Sequence, residues 1–205
     1  MARIIDKEEK RCDIARASID LFCEKGIAQT TIDEIAKSAG VAKGTIYLYF
    51  KNKEEIVFAI WDMVCTLHVN AFESSIKPEM GAKEKILKFF HFTALFQEGE
   101  EAQKILHLYQ HFVSALLIDK TGLYTAYFES FFQKDYDFIA SCLHEGIASG
   151  EFEEHNVHLL AQSMVLIIKG VLIKAKASNL AFDTAQILLT EEISFLLENF
   201  TRKVK

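Results

Sequence analysis

The sequence contains few of the residues that interrupt helices. Its 205 residues include one proline and nine glycines, and it has no alternating polar and apolar runs separated by turn dipeptides. Strands and hairpins need such runs and turns, so their absence argues for an all-α fold. Hydrophobic residues make up 50% of the chain, which is enough for a sizeable buried core in one or two domains.

Sequence features of secretion, membrane insertion and metal binding are also missing. The four cysteines are scattered without Cys-x-x-Cys spacing. Met1 leads into charged residues without an apolar core, so no signal peptide is predicted. The longest apolar run, residues 159–173, is interrupted by Lys169 and is shorter than the ~20 apolar residues that span a bilayer. We therefore expect a cytoplasmic protein with reduced thiols and no cofactor.

Positive charge is scarce, but its distribution is informative. The formal net charge is −6. Residues 1–53 contain ten Lys or Arg against eight Asp or Glu, a net charge of +2, and residues 54–205 contain thirteen against twenty-one, a net charge of −8. An N-terminal nucleic-acid site would fit this distribution, provided that a few well-placed cations supply most of the affinity.

Residues 30–53 have the pattern of two short helices joined by a glycine turn. Thr31 and Glu34 have the spacing of a capping box, which predicts a helix that begins near Ile32. Gly40 supplies the left-handed backbone geometry that ends a helix and turns the chain. Asn52 is placed to cap the helix that follows. This is the pattern of a DNA-binding helix-turn-helix, although a plain helix hairpin would share the glycine turn.

The second short helix exposes groups that suit DNA. Ile46 is expected to be buried, and the outward side chains are expected to be Lys43, Thr45, Tyr47 and Tyr49. One cation and three hydroxyls can bond phosphate oxygens and base edges. Gly44 is a poor helix former, but it allows the backbone to approach a groove closely.

These residues resemble the N-terminal signature of the tetracycline-repressor (TetR) family. The resemblance covers about the first quarter of the chain and is carried by Phe22, Lys25-Gly26, Thr30-Thr31, Ile35-Ala36, Ala39-Gly40-Val41, Lys43 to Tyr47 and Tyr49 to Lys53. Residues 145–152, Glu-Gly-Ile-Ala-Ser-Gly-Glu-Phe, are similar to the turn that precedes the dimerisation helices of that family. The resemblance implies a DNA-binding domain over residues 1–52 and a ligand-binding and dimerisation domain over residues 53–205.

The resemblance also implies which residues touch DNA. The matching positions are Thr31, Lys43, Gly44, Thr45, Tyr47, Tyr49 and Lys53. Within that set, Lys43 and Thr45 are expected nearest the bases, and Thr31, Tyr47 and Lys53 are expected on phosphates. Ala42 and Leu48 are small or apolar where some relatives place base readers, so direct readout is expected to depend on few residues.

The remaining helices are expected to bury an aromatic-rich core. The periodicity predicts helices over residues 53–76, 82–97, 101–118, 122–149, 156–178 and 183–203. An apolar or aromatic effector is expected between the helices that carry Trp61, Cys65, His68, Phe92, Phe96, His107, Tyr109, His111, Tyr127 and Phe131. Many of these side chains are equally compatible with plain core packing. His107 and His111 have the i, i+4 spacing that can share a metal, but no third ligand accompanies them, so no metal site is predicted.

The last two predicted helices look like a dimer interface. The first, residues 156–178, is apolar on more than one face, and a single chain could not cover both faces. Pairing both helices with their copies in a second subunit would form a four-helix bundle. Gly170 would allow a close approach of the neighbouring helix.

The sequence therefore predicts a ligand-responsive, homodimeric repressor released from a palindromic operator by a small apolar or aromatic effector. No Ser/His/Asp arrangement, phosphate-binding glycine loop or paired carboxylates indicate catalysis, so an enzyme is not expected. Two alternatives remain open. One is an architectural DNA-binding protein without an inducer, and the other is an enzyme that retained a degenerate helix-turn-helix.

Overall fold

The computed structural model describes residues 7–91 and 100–202, and in these ranges the protein is all-α, as the sequence predicts. The helices are α1 (Lys7–Gln29), α2 (Ile32–Ser38), α3 (Lys43–Tyr49), α4 (Lys53–Ser75), α5 (Ala82–Phe89), α6 (Glu100–Leu117), α7 (Leu123–Ser149), α8 (Val157–Ala177) and α9 (Phe182–Glu198). The described ranges contain one isolated antiparallel bridge, between Phe152 and Thr201, and no longer strand.

The chain forms two compact units. Unit 1 comprises described residues 7–67 and 100–127, and unit 2 comprises described residues 68–91 and 128–202. Helices α4 and α7 each contribute residues to both units. Two helices, α4 and residues 157–175 of α8, are long and apolar enough to cross a membrane by length and composition alone. Apolar helices in the core of soluble proteins meet the same criterion, so this observation is weak evidence for a membrane span.

Unit 1 packs α1 against α2, α3 and α6. Ile14, Phe22, Ile35 and Ile46 have no exposed surface and form the centre of the three-helix core. The sequence predicts that the first helix ends at Gly26, and the helical geometry does break there, with φ 78° and ψ 162°. A last helical turn then continues to Gln29, because the Gly26 carbonyl accepts a hydrogen bond from the Thr30 amide at 3.3 Å.

Gly26 is constrained by its surroundings as well as by its backbone. A Cβ built on this residue would lie 3.2 Å from Nδ1 of His111 on α6. Lys104, also on α6, forms an ion pair with Asp20 at 2.9 Å, and its carbonyl accepts a hydrogen bond from the Cys23 thiol at 3.3 Å. These contacts hold α6 along the first helix of unit 1.

Unit 2 packs α8 against α9 and α5 against α9. Its buried centre contains Ala161, Met164, Val165, Ile193 and Leu197, all with no exposed surface. Phe138 of α7 contacts the rings of Phe72 and Phe89 at centroid separations of 4.9 and 4.5 Å. Many of the aromatic residues of this unit therefore form core packing.

The Glu145–Phe152 segment ties several parts of unit 2 together. The Glu151 carboxylate accepts hydrogen bonds from the backbone N–H groups of Ala82 and Lys83, at 2.6 and 3.1 Å, and so caps the start of α5. A Cβ on Gly146 would lie 2.2 Å from the Phe152 ring, so only glycine fits beneath that ring. The segment positions α5 as well as preceding α8.

Two helices end several residues earlier than the sequence predicts. Helix α9 ends at Glu198, five residues before the predicted end, because residues 200–202 pair with residues 151–153 instead. Helix α5 ends at Phe89, where the Phe90 amide caps it by donating to the Ile86 and Lys88 carbonyls. The rest of the predicted 82–97 helix falls partly on residues 92–99, which lie outside the described residues.

Candidate functional site

The first helix of the helix-turn-helix begins with the predicted capping box. The Thr31 hydroxyl accepts a hydrogen bond from the Glu34 amide at 3.3 Å, and the Glu34 carboxylate accepts one from the Thr31 amide at 2.9 Å. The Lys25 ammonium also donates to Glu34. This bond, followed by the bonds from Thr31, lowers the pKa of Glu34 to about 2. The carboxylate is therefore ionised throughout the physiological pH range.

Gly40 turns the chain with φ 62°, and α3 begins three residues later. Ile46 and Phe50, with 0% and 1% exposure, anchor α3 in unit 1. Tyr47 and Leu48 lie on the other side and are 53% and 74% exposed. We call the exposed residues Lys43, Gly44, Tyr47 and Leu48 the α3 face.

Thr45 and Tyr49, which the sequence predicts to face outward, are half-buried in the structure. We therefore place both residues at the margin of the α3 face. The Tyr49 carbonyl accepts a hydrogen bond from the Arg11 guanidinium, which also lies 4.4 Å from the centroid of the Phe50 ring. Sequence reasoning missed Arg11, because no local pattern relates it to residues 38 positions away.

Two lysines of unit 1 are paired with carboxylates from α2. Lys43 lies 2.9 Å from Asp33, and Lys25 is paired with Glu34. The hydrogen bonds to these carboxylates raise the pKa of both lysines, so both are fully charged at neutral pH. Both pairs are exposed to solvent, where ion pairs are weak and exchange readily. Lys43 can therefore move from Asp33 to another anion at small cost.

Lys53, predicted to contact a phosphate, is the first residue of α4, and its side chain reaches the end of α1. Its ammonium donates hydrogen bonds to the carbonyls of Ala28 and Thr30, at 2.8 and 3.1 Å. Asn52 caps α4 as predicted, with its side-chain carbonyl accepting from the Glu55 amide at 2.9 Å. Lys53 thus fastens the start of α4 to the junction between α1 and α2.

The predicted effector residues of unit 1 lie in several separate contacts. Trp61 is 8% exposed and packs edge-on against Tyr109, with ring centroids 5.9 Å apart. The Tyr127 hydroxyl donates to the Asp62 carboxylate at 2.9 Å, and His111 lies against Gly26. Cys65 and His107 are half-buried. Burial, reinforced by the Asp62 charge, raises the pKa of Tyr127, so its hydroxyl stays protonated.

The predicted effector residues of unit 2 are also divided. The Phe131 ring lies 4.0 Å from the ammonium of Lys169, which forms a buried ion pair with Asp135 at 3.2 Å. Burial lowers the pKa of His68, against the opposing influence of the Asp135 charge. Phe92 and Phe96 lie outside the described residues.

His68 lines a groove of about 360 Å³ in unit 2. We call it the α4–α5 groove, and its lining residues are His68, Ala71, Phe72, Ser75, Glu84, Leu87, Lys88, His91 and Thr190. Ala71, Phe72 and Leu87 give it an apolar wall, and Lys88 supplies an ammonium group beside that wall. Of the predicted effector residues that the structure describes, His68 is the one that lines this groove. Sequence reasoning missed the others because they are spread over three helices and the residues that follow α5, without a shared pattern.

A second exposed surface of unit 2 lies on α8 and α9. Leu159, Leu166 and Ile173 recur every seven residues along α8 and are 60%, 56% and 48% exposed. On α9, Ile187 and Phe195 are 59% and 65% exposed. We call these five residues the outer face. Gly170 lies between Leu166 and Ile173, is exposed, and has no atom within 4 Å of a built Cβ.

Comparisons with known proteins agree with this architecture. A family model described as "Bacterial regulatory proteins, tetR family" matches residues 14–60, which include α2, α3 and the start of α4. The fatty acid metabolism regulator protein of Bacillus subtilis is 33% identical over 162 residues, which cover 78% of this chain and 79% of the relative. The regulator TtgR of Pseudomonas putida is 31% identical over 107 residues, about half of each chain.

Solved structures resemble the whole chain. The crystal structure of the transcriptional regulator FadR from Bacillus subtilis in complex with stearoyl-CoA has a TM-score of 0.70 and 27% identity, covering 92% of this chain and 98% of that chain. A TetR transcription regulator from Haloarcula marismortui has a TM-score of 0.78 and 15% identity, covering 95% and 99%, and shows the shared fold. These relatives are transcriptional regulators, and no enzyme stands among them. The chain belongs to the TetR family of helix-turn-helix transcriptional regulators.

Proposed function

We propose that this protein is a homodimeric repressor that binds a palindromic operator and is released from it by a small amphipathic effector. The α3 face supports the DNA-binding part of the proposal. It presents Lys43 and Tyr47 beside Gly44, which has no side chain and so allows a groove of the DNA to approach closely. We propose that Thr31, Thr45 and Tyr49 contact DNA from its margins. The protein would act in the cytoplasm, where the operator is.

The outer face supports the dimer. Five large apolar side chains on one surface exceed the scattered exposure that is usual for a monomer. The seven-residue spacing of Leu159, Leu166 and Ile173 places them along one side of α8. A second copy can pack against that side while the protein's own α9 stays packed against α8. A twofold dimer would read a near-palindrome with half-sites about 34–36 Å apart, or a multiple of that distance.

The α4–α5 groove supports the effector. A relative of this chain is described in complex with stearoyl-CoA, which has a long apolar chain and an anionic head. The groove offers Ala71, Phe72 and Leu87 to an apolar chain, and Lys88 to an anion. We propose that the effector is a long-chain acyl compound with an anionic end. This keeps the apolar part of the apolar or aromatic ligand that the sequence predicts and adds an anionic end.

Helix α4 provides the route from effector to DNA. It begins at Lys53, whose ammonium holds the junction between α1 and α2. Its last turns supply His68, Ala71, Phe72 and Ser75 to the groove. An effector that tilts or shifts α4 would move the anchor of the helix-turn-helix. Such coupling typically amounts to ~1–3 kcal/mol, and it is reciprocal.

The experiment uses the full chain and an operator selected from random duplexes. Fluorescence anisotropy would measure operator affinity without ligand, with stearoyl-CoA and with free coenzyme A as the control. We expect stearoyl-CoA alone to weaken binding about 5- to 150-fold. Ala71→Trp, which fills the groove beside its apolar wall, should reduce this response, and so should Lys88→Ala. Lys77→Ala should not, because Lys77 is an exposed lysine outside the groove.

The other classes of function predict different results. Salt-sensitive binding without sequence preference would favour an architectural DNA-binding protein. Sequence-specific binding that no acyl compound weakens would contradict the proposed effector and support the proposed operator. A protein that selects no sequence would contradict the proposal as a whole.

A further inference from the structure

Leu48 has an unusual position for an apolar residue. It is 74% exposed on α3, more than Tyr47 at 53%, although the rest of the α3 face is polar or lacks a side chain. The sequence suggests that a leucine at this position leaves direct readout to other residues. The structure leaves this side chain accessible to a partner.

Leu48 and Gly44 both point away from the core of unit 1. Each is two residues from Ile46, which has no exposed surface. In a helix with 3.6 residues per turn, two residues correspond to about 200° of rotation, so both lie nearly opposite Ile46. Thr45 is one residue from Ile46 and is half-buried. Gly44 and Leu48 therefore form the centre of the surface that α3 presents, and Lys43 and Tyr47 form its edge.

The chemistry of the major groove identifies a partner for Leu48. Its base edges present hydrogen-bond donors and acceptors together with one apolar group, the C5-methyl of thymine. A leucine can contact that methyl but cannot satisfy the polar edges. A Cβ on Gly44 would meet no atom of the protein within 4 Å, so this glycine leaves the space that a close approach by Leu48 requires.

We propose that Leu48 is a specificity-determining residue that reads a thymine methyl in each operator half-site. The inference rests on the proposed operator binding. A protein partner for Leu48 is less favoured, because Leu48 is the one large aliphatic side chain exposed on α3 and its neighbours are a lysine, a glycine and a tyrosine. A docking surface for an apolar partner would need several adjacent apolar residues, as the outer face has.

Thymine methyls can be removed one at a time. In the selected operator, each thymine would be replaced in turn by deoxyuridine, which keeps every hydrogen-bonding group and lacks only the methyl. Operator affinities would be measured for the wild-type chain, for Leu48→Ala and for Leu117→Ala, a leucine that is 80% exposed outside the α3 face. Circular dichroism would confirm that the variants stay folded, as expected for substitutions at exposed positions.

The wild-type protein should lose about three- to tenfold in affinity at one or two thymines per half-site. Leu48→Ala should lose a similar factor on the unmodified operator and show no further loss when those methyls are removed. Leu117→Ala should behave as wild type at every position. A wild-type protein that is indifferent to every methyl, or a Leu48→Ala variant that keeps the full methyl dependence, would overturn this inference alone. Failure to select any operator would overturn the proposed function and this inference together.

Discussion

The α3 face and the outer face both expose large apolar side chains, but they are built differently. On the α3 face, Leu48 stands next to Gly44 and is surrounded by Lys43 and Tyr47. On the outer face, five apolar residues follow one another along two packed helices. The first arrangement suits a partner whose surface is mostly polar and hydrated. The second suits an apolar partner surface that excludes water from the contact. Exposure alone does not distinguish a DNA reader from a subunit contact, whereas the neighbouring residues do.

Charges on the outer face should have the largest effect. We expect the double variant Leu166→Asp, Phe195→Asp to weaken dimerisation at least 100-fold, because each change buries an unpaired carboxylate in the proposed subunit contact. A 100-fold change is about 3 kcal/mol. Light scattering during gel filtration would measure the mass. Leu117→Asp, a similarly exposed leucine elsewhere, is the matched control. A dimer that survives the double change would place the interface on another surface.

Lys53→Ala tests whether this cation mainly serves DNA or the fold. We expect the free energy of unfolding to fall by about 1–2 kcal/mol, because two carbonyls lose a charged donor that is partly exposed to solvent. Urea unfolding would measure this loss, with Lys51→Ala as the control, since Lys51 is exposed. A Lys53 that contacts phosphate would behave otherwise: stability would stay constant, and the slope of log affinity against log salt would fall by about 1.

Gly44→Ala separates stability from binding on the α3 face. Alanine is favoured over glycine inside helices by up to ~1 kcal/mol, and a Cβ at this position meets nothing within the protein. Thermal unfolding should therefore show equal or greater stability. Operator affinity should nevertheless fall about tenfold, because the methyl group occupies the space between α3 and the DNA. Unchanged affinity would show that α3 does not approach the groove at Gly44.

Asp33→Asn should strengthen DNA binding by a smaller factor. The substitution releases Lys43 from its carboxylate partner and removes one negative charge beside the α3 face. We expect a gain of a few fold at low salt and a steeper dependence of affinity on salt. Anisotropy titrations at several salt concentrations would measure both. Glu73→Gln, an equal charge change on an exposed residue of unit 2, should have no effect.

The pH dependence of the capping box should be confined to acid. The pKa of Glu34 is lowered from 4.5 to about 2 in the folded protein, so the stability it contributes is complete above pH ~4.5 and is lost as the pH falls towards 2. Carboxyl chemical shifts measured by NMR would follow this titration. Lys25→Ala should raise the pKa of Glu34, because the Lys25 hydrogen bond is the largest cause of the shift. No change in that variant would contradict the assignment.

Sequence reasoning succeeded where partners lie within a few residues of each other. The Thr31–Glu34 capping box, the Gly40 turn and the Asn52 cap each join residues at most five positions apart, and all are present in the structure. It could not identify the partners of Lys53 and Glu151, which lie 23 to 69 residues away along the chain. Such contacts are fixed by the packing of helices, and no local periodicity records them.

Helix α8 shows the same limit within a single element. Its sequence is apolar on several faces, so the pattern does not tell which face is buried in the protomer. The structure buries Ile168, at 4% exposure, and exposes Leu166, at 56%. A charge at Ile168 would therefore damage the core of the protomer, and Leu166 is the sharper test of dimerisation.

The cap that Glu151 places on α5 has a consequence for local unfolding. Helix α5 has eight residues, and its first N–H groups are held by a carboxylate 68 and 69 positions further along the chain. The Glu151 carbonyl in turn accepts a hydrogen bond from the Arg202 amide, and the Glu153 amide donates to the Phe200 carbonyl. Fraying of residues 200–202 would therefore loosen one wall of the α4–α5 groove. In a hydrogen-exchange experiment, α5, residues 151–153 and residues 200–202 should open together as one cooperative unit. The local stability of the groove therefore depends on the pairing of residues 200–202 with residues 151–153.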